Sequence, residues 1–144
     1  MTQVEFHILS EAGETARLRH ACRLVEQAYE QGQRSYVRVA SSEEARRMDD
    51  ALWTFRDQAF IPHEILSASS HTHPRIMAVI GTVDTIPAEL QTLLINLSDA
   101  LPEAGNAFTR ICEVVDADPQ RKQHARERYR QYREQGCQLE TRNQ

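Results

Sequence analysis

The residues with the clearest chemical potential lie between Asp118 and Gly136, in DPQRKQHARERYRQYREQG. Past the opening Asp118, Arg121, Lys122, Arg126, Arg128, Arg130 and Arg133 stand against only Glu127 and Glu134, in a chain whose formal net charge is -4. Guanidinium groups fork onto carboxylates and phosphates, and a neighbouring tyrosine offers a flat apolar face. At about 100° per residue, Lys122, Arg126, Tyr129, Arg130 and Arg133 share one narrow sector, while Ala125, Tyr132 and the stem of Arg128 fall on an adjoining one. One side of this segment can pack while the other presents cations around a ring. Two readings are open: a solvated charged face, or a docking surface for an anionic partner that also carries an apolar or aromatic element.

Other chemistries find less support. The five glycines, Gly13, Gly32, Gly81, Gly105 and Gly136, permit neither a GxGxxG turn nor a GxxxxGK[ST] loop, so a backbone cradle for nucleotide phosphates is missing. His71 and His73 lie two apart in a Ser-rich stretch, a spacing that can hold a metal in extended chain. No Asp, Glu or Cys is adjacent to complete a site, and they read as surface histidines. No GxSxG elbow occurs, and Asp49 with Asp50 reads as an exposed helix pair. Cys22, Cys112 and Cys137 are odd in number and widely spaced, which points to small buried or incidental thiols rather than to a disulfide or a thiolate zinc site. The chain is accordingly expected to have no metal, no cofactor and no catalytic residues.

At 144 residues the chain should form one domain, residues 1–144, that buries roughly two thirds of its unfolded surface without a disulfide or metal. Its 26% charged and 40% hydrophobic residues are those of an ordinary soluble globular protein. No apolar run approaches the ~18 residues of a membrane span, and MTQVEFHILS lacks the basic-then-apolar layout of a signal peptide. Together these predict a cytoplasmic protein with no membrane partner. A pI near 5.9 argues against a general nucleic-acid coat, although a local basic face on an acidic body can still be selective.

The elements that must position the basic segment are legible in turn. Val4, Phe6 and Ile8 alternate with Glu5 and His7, which predicts a strand ending at Leu9. Leu18, Ala21, Cys22, Val25, Ala28 and Tyr29 recur at helical spacing from Thr15 to a stop at Gly32. Tyr36, Val37 and Val39 predict a second strand. Ser41 and Glu44 then form a capping box that opens a helix to about Trp53. Strand, helix, strand, helix with short joints implies a parallel sheet with right-handed crossovers.

From Trp53 to Arg75 the periodicity is poor, and a loop is expected. It carries large apolar side chains that need the core or a partner to cover them, with Trp53 and Phe60 the candidates for exposure. Ile76, Met77, Val79 and Ile80 predict a third strand with a turn at Gly81. Leu93, Leu94, Ile95 and Leu97 predict a buried central strand, and Phe108, Ile111, Val114 and Val115 another. Asp118 as cap, Pro119 at the first helical position and Gly136 as stop frame the basic helix. Residues 137–144, above all the tail after Leu139, are expected to fray.

Three stretches together, DDALWTFRDQAFIPHE (Asp49 to Glu64), FTRICEVVD (Phe108 to Asp116) and ARERYRQYREQG (Ala125 to Gly136), resemble the chi subunit family of bacterial DNA polymerase III, accessory proteins of the clamp-loader complex. Order, spacing and length agree over nearly the whole chain, with Leu66 to Gln91 the least similar part. The resemblance implies a Rossmann-like, three-layer α/β fold with a mainly parallel sheet, related to nucleoside-triphosphatase domains but without a nucleotide-binding loop. It implies a bridging role. One surface would bind the psi subunit of the clamp loader, and another the acidic, Phe-terminated C-terminal tail of single-stranded-DNA-binding protein.

By the same resemblance the tail site falls on Lys122, Arg126, Tyr129 and Arg130, with Val115 as an apolar wall. Arg130 stands where the family often has Lys, which keeps the charge. The psi-facing site falls on Trp53 and Phe60, a surface that in some relatives serves a helicase. DNA would be contacted mainly indirectly. Two other function classes stand beside this one. Direct single-strand binding by the basic helix requires stacking platforms, and only Tyr129 and Tyr132 are available there. An enzyme requires turnover or nucleotide binding, for which the sequence offers no motif.

Overall fold

A computed structural model describes residues 2–55, 60–66, 75–83, 90–102 and 108–144. The chain alternates β1 (Gln3–Ile8), α1 (Glu14–Glu30), β2 (Ser35–Arg38) and α2 (Ser42–Thr54). Then follow β3 (His63–Ile65), β4 (Ala78–Gly81), β5 (Leu93–Asn96), β6 (Arg110–Val115), α3 (Pro119–Glu134) and β7 (Gln138–Asn143). The strands form one seven-stranded sheet in the order β3-β4-β2-β5-β6-β1-β7, and every pairing is parallel. Helices α1 and α2 cover one face and α3 the other, which makes a three-layer α/β fold.

Both faces of the sheet are covered, so side chains of either parity along a strand are buried. Val4 and Phe6 face α3 with Tyr36, Val79, Leu94, Ile111 and Val115. Val37, Ile80, Ile95, Cys112 and Val114 face α1 and α2. Glu5 and His7, the polar members of the first strand's alternation, are buried too.

The helix punctuation works as its chemistry requires. The Ser41 hydroxyl accepts from the Glu44 N–H (3.2 Å), and the Glu44 carboxylate reaches back to the N–H of Ala40 (3.1 Å), one residue before the cap. The Asp118 carboxylate accepts from the N–H of Arg121 (3.0 Å), and Gly136 leaves α3 at φ +83°, a region open to glycine at no steric cost.

Three sequence expectations need correction. The stretch from Trp53 to Arg75 holds a strand, β3, at the sheet edge; three residues beginning with His63 and Glu64 are too few for an alternation to register. The part of that stretch carrying His71 and His73 lies outside the described residues. The third strand begins at Ala78 rather than Ile76. The tail does not fray: β7 pairs in parallel with β1 from Gln138 opposite Gln3 to Asn143 opposite Ile8. Its sequence, QLETRN, is polar because it is an edge strand with mostly exposed side chains. Its order comes from backbone bonds such as Gln138 N–H to the Thr2 carbonyl (3.1 Å) and Gln144 N–H to that of Ile8 (2.8 Å).

At the first strand-to-helix turn, where doubly wound folds that bind nucleotides receive a phosphate, an internal carboxylate is in place. The N–H of Gly13 donates to Asp116 Oδ2 (2.8 Å), and buried Arg17 lies 3.4 Å from the same oxygen.

Candidate docking site on the α3 face

Helix α3 sorts its cations by what surrounds them. Arg128 is not part of the basic face. Its guanidinium is buried against Glu113 of β6, with Nε and Nη2 at 3.2 and 3.1 Å from Oε1, and Nη1 donates to the Asp99 carbonyl (3.0 Å). The other oxygen of Glu113 accepts from Tyr132 Oη (2.7 Å) and from Asn96 Nδ2 (2.9 Å) on the adjacent strand β5. Tyr132 is therefore 1% exposed. Arg121 pairs with Asp99 (2.9 Å), and Arg130 pairs with Glu127 one turn earlier. The side chains of Lys122, Arg126 and Arg133 make no ion pair or hydrogen bond among the described residues.

Two of these uncommitted cations rim a cavity of about 320 Å³ between α3, β1, β6 and β7. Phe6 and Ile8 of β1, Val115 of β6 and Ala125 of α3 supply its apolar lining. Lys122, Arg126, Tyr129 and Thr141 complete it. The Tyr129 ring lies 5.4 Å from that of Phe6 at 52°, and Tyr132 meets Phe6 edge-on at 6.0 Å. The arrangement suits an aromatic or aliphatic side chain next to a carboxylate: apolar walls take the side chain and the guanidinium forks the anion.

Of the five residues expected at this site, the structure brings Lys122, Arg126, Tyr129 and Val115 together. Arg130 is on the same helix but outside the cavity lining and is tied to Glu127. Sequence reasoning missed Phe6, Ile8, Ala125 and Thr141 as lining residues. Phe6 and Ile8 were legible as an apolar strand face. Their position beside α3 depends on β1 inserting between β6 and β7, which no local pattern encodes.

Trp53 and Phe60 form a separate aromatic patch. Trp53 is 56% exposed and Phe60 61%, with ring centroids 5.4 Å apart. His63 supports Trp53 edge-on at 4.9 Å. Its Nδ1 lies 2.6 Å from the Ile61 carbonyl, and Asp49 stands 3.2 Å from Nε2 without completing a hydrogen bond to it, so Asp49 faces β3 rather than being half of an idle acidic pair. Five strand steps separate β3 from β1, about 25 Å at the usual spacing, so this patch and the cavity occupy well-separated parts of the molecule.

A third cluster lies under α1. Glu5, His7 and Cys112 bring a carboxylate, an imidazole and a thiol within 4.8 Å of one another. The set is already internally matched: His7 reaches Glu5 (3.2 Å), His20 reaches His7 (2.9 Å), and Arg110 forks onto both oxygens of Glu5 (2.7 and 3.0 Å). The His7 hydrogen bond, with Arg110, holds the Glu5 carboxyl down at about 2 against the opposing effect of burial. Burial, with His7 and Arg23 nearby, pushes His20 down to about 4, and burial pushes the Cys112 thiol up to about 12. With its carboxylate committed to a guanidinium, the cluster reads as a structural hydrogen-bond chain rather than as a metal centre.

Comparison with known proteins gives one consistent result. Residues 1–140 match the family described as "DNA polymerase III chi subunit, HolC". The chain is similar to DNA polymerase III subunit chi of Pseudomonas aeruginosa, with 37% identity over 140 residues, covering 97% of this chain and 95% of the relative. The subunit chi of Haemophilus influenzae is 31% identical, covering 96% and 95%. In fold it is similar to the crystal structure of T4 UvsW, with a TM-score of 0.69 at 10% identity, over 99% of this chain and 42% of that one. Among the described residues, no helix is long and apolar enough to cross a membrane.

Proposed function

Because this chain belongs to the DNA polymerase III chi subunit family, we propose that it is a non-catalytic subunit of the clamp-loader complex that links the psi subunit to the acidic C-terminal tail of single-stranded-DNA-binding protein. The observation that carries the tail half of this reading is the cavity beside α3, in which Phe6, Ile8 and Val115 offer an apolar lining and Lys122 and Arg126 stand at the rim without partners among the described residues. A terminal Phe ring enters beside Tyr129, its carboxylate is forked by Arg126, and acidic residues before it meet Lys122. Arg130 serves as a peripheral cation once Glu127 yields it.

Burying the ring contributes about 2 kcal/mol, and each partly screened charged contact about 1 kcal/mol. Ordering a flexible tail opposes both, which leaves affinity on the order of micromolar. Such binding is salt-sensitive and reversible, as suits a partner released while DNA is copied, and several tails on one oligomer raise it by avidity. The psi half rests on the exposed Trp53–Phe60 pair, whose paired rings form a broad apolar anchor. Direct single-strand binding is the weaker reading, since Tyr132 is buried on Glu113 and Tyr129 packs on Phe6, which leaves no run of free rings on α3 for stacking beside its cations.

Titrating a labelled acidic peptide ending in Phe at low and high salt tests the tail site. Micromolar binding that weakens with salt, with Arg126→Ala and with Tyr129→Ala is expected; binding indifferent to both substitutions would remove α3 from the site. For the other surface, co-purification with psi should be lost on Trp53→Ala and kept on Tyr129→Ala.

A further inference from the structure

The cavity beside α3 adjoins a second one around the carboxyl ends of β1 and β7. Ile8 and Thr141 line the first; Leu9 and Gln144 line the second, which holds about 170 Å³ against α1. The Gln144 N–H donates to the Ile8 carbonyl (2.8 Å), so one strand pair forms the ridge between them. Arg19 and Arg23 rise into the second cavity from successive turns of α1, with His20 between them.

The two arginines are exposed and make no ion pair or hydrogen bond among the described residues. Like charges four apart on a helix repel, so the helix gains nothing from them by itself. Arg142 of β7, in register with His7 on the α1 side of the sheet, is already committed to Glu140 (3.2 Å) and Glu5 (3.6 Å), unlike Arg19 and Arg23. His20 has Nε2 committed to His7, which leaves Nδ1 as its uncommitted ring nitrogen. Glu11 is the acid on the cavity wall. Glu11 beside Arg19 and Arg23 disfavours a compact, multiply charged anion and favours carboxylates spread along a chain.

We propose that this second cavity receives the upstream acidic residues of the same peptide whose aromatic end occupies the first, the peptide crossing the carboxyl ends of β1 and β7 from the α3 face to the α1 face. The inference rests on the docking reading of the first cavity. The crossing is roughly 10–15 Å, about four extended residues, so acids directly before the terminal ring stay at Lys122 and Arg126 while acids further upstream reach Arg19 and Arg23.

Two labelled peptides ending in Phe test it by fluorescence anisotropy at low salt: a short one with two Asp before the ring, and a long one with four further Asp upstream. The full chain is compared with Arg19→Glu/Arg23→Glu, with the neutral Arg19→Gln/Arg23→Gln, with Tyr129→Ala, and with Arg46→Glu as an exposed charge control on α2. The long peptide should bind about tenfold tighter than the short one. That gain should vanish in both arginine pairs and survive Arg46→Glu, while short-peptide binding stays unchanged in the neutral pair and Tyr129→Ala weakens both peptides. A gain that persists in both arginine pairs overturns the second cavity and leaves the first intact. Binding of neither peptide, or indifference of both to Tyr129→Ala, overturns the docking reading and this inference with it.

Discussion

Arg128 Nη2 lies 3.1 Å from Glu113 Oε1, and the two side chains are 4% and 0% exposed. An arginine from the middle of the most basic segment thus belongs to the core of the fold. Glu113 in turn holds three elements together: Arg128 and Tyr132 of α3, its own strand β6, and Asn96 of β5.

Removing one partner of such a pair strands a charge away from water. Arg128→Ala is expected to lower stability by about 3–5 kcal/mol, and Tyr132→Phe by about 1–2 kcal/mol, read as shifts in the urea midpoint. Arg128→Met with Glu113→Leu and Tyr132→Phe should recover much of the loss, since no charge is left unpaired, the tyrosine hydroxyl goes with its acceptor and Asn96 Nδ2 keeps the Ala100 carbonyl. An Arg128→Ala midpoint within 1 kcal/mol of wild type would show that the pair contributes little.

Acid should destabilise the fold in two stages. The His20 base is held at about 4 in the folded chain against an ordinary 6.5, so the unfolded chain binds its proton first and stability is lost as pH falls from 6.5 towards 4. Glu5, held at about 2 against 4.5, adds a second loss between 4.5 and 2. Each stage is worth up to about 3 kcal/mol. His20→Gln should flatten the first stage and leave the second, as measured by denaturant midpoints at about pH 7, 5.5, 4 and 2.5.

Trp53 is the sole tryptophan and more than half exposed, so its emission reports on one patch only. Binding of psi should shift it to the blue, whereas an acidic peptide bound beside α3 should leave it unchanged. Phe60→Ala should alter stability by less than about 1 kcal/mol, because little of its ring is buried on folding.

Strand β7 both closes the sheet and places Thr141 at the cavity. Deleting residues 138–144 should weaken acidic-peptide binding several-fold and uncover the β1 edge, with self-association visible by light scattering. Unchanged binding and a monodisperse protein would show that β7 is dispensable to both.

What the sequence determined by itself was local. Alternation marked β1, helical spacing marked α1, and a Ser-x-x-Glu box and an Asp-Pro start marked the openings of α2 and α3. Each of these signals is carried by residues within one or two turns of one another, so each survives without knowledge of the rest of the chain. Lys122, Arg126 and Tyr129 could be grouped for the same reason, by angle around one helix. Tertiary structure alone decided the remainder. Parallel pairing puts β1 between β6 and β7, strands more than 100 residues distant in sequence from its own start. That insertion brings Phe6 and Ile8 to the cavity, turns a polar tail into an edge strand, and lets the buried carboxylate of Glu113 draw Arg128 out of the basic face. Helical angle already set the stem of Arg128 beside Ala125 and Tyr132, but whether its head group faces water or a partner in the core depends on what the fold sets opposite it.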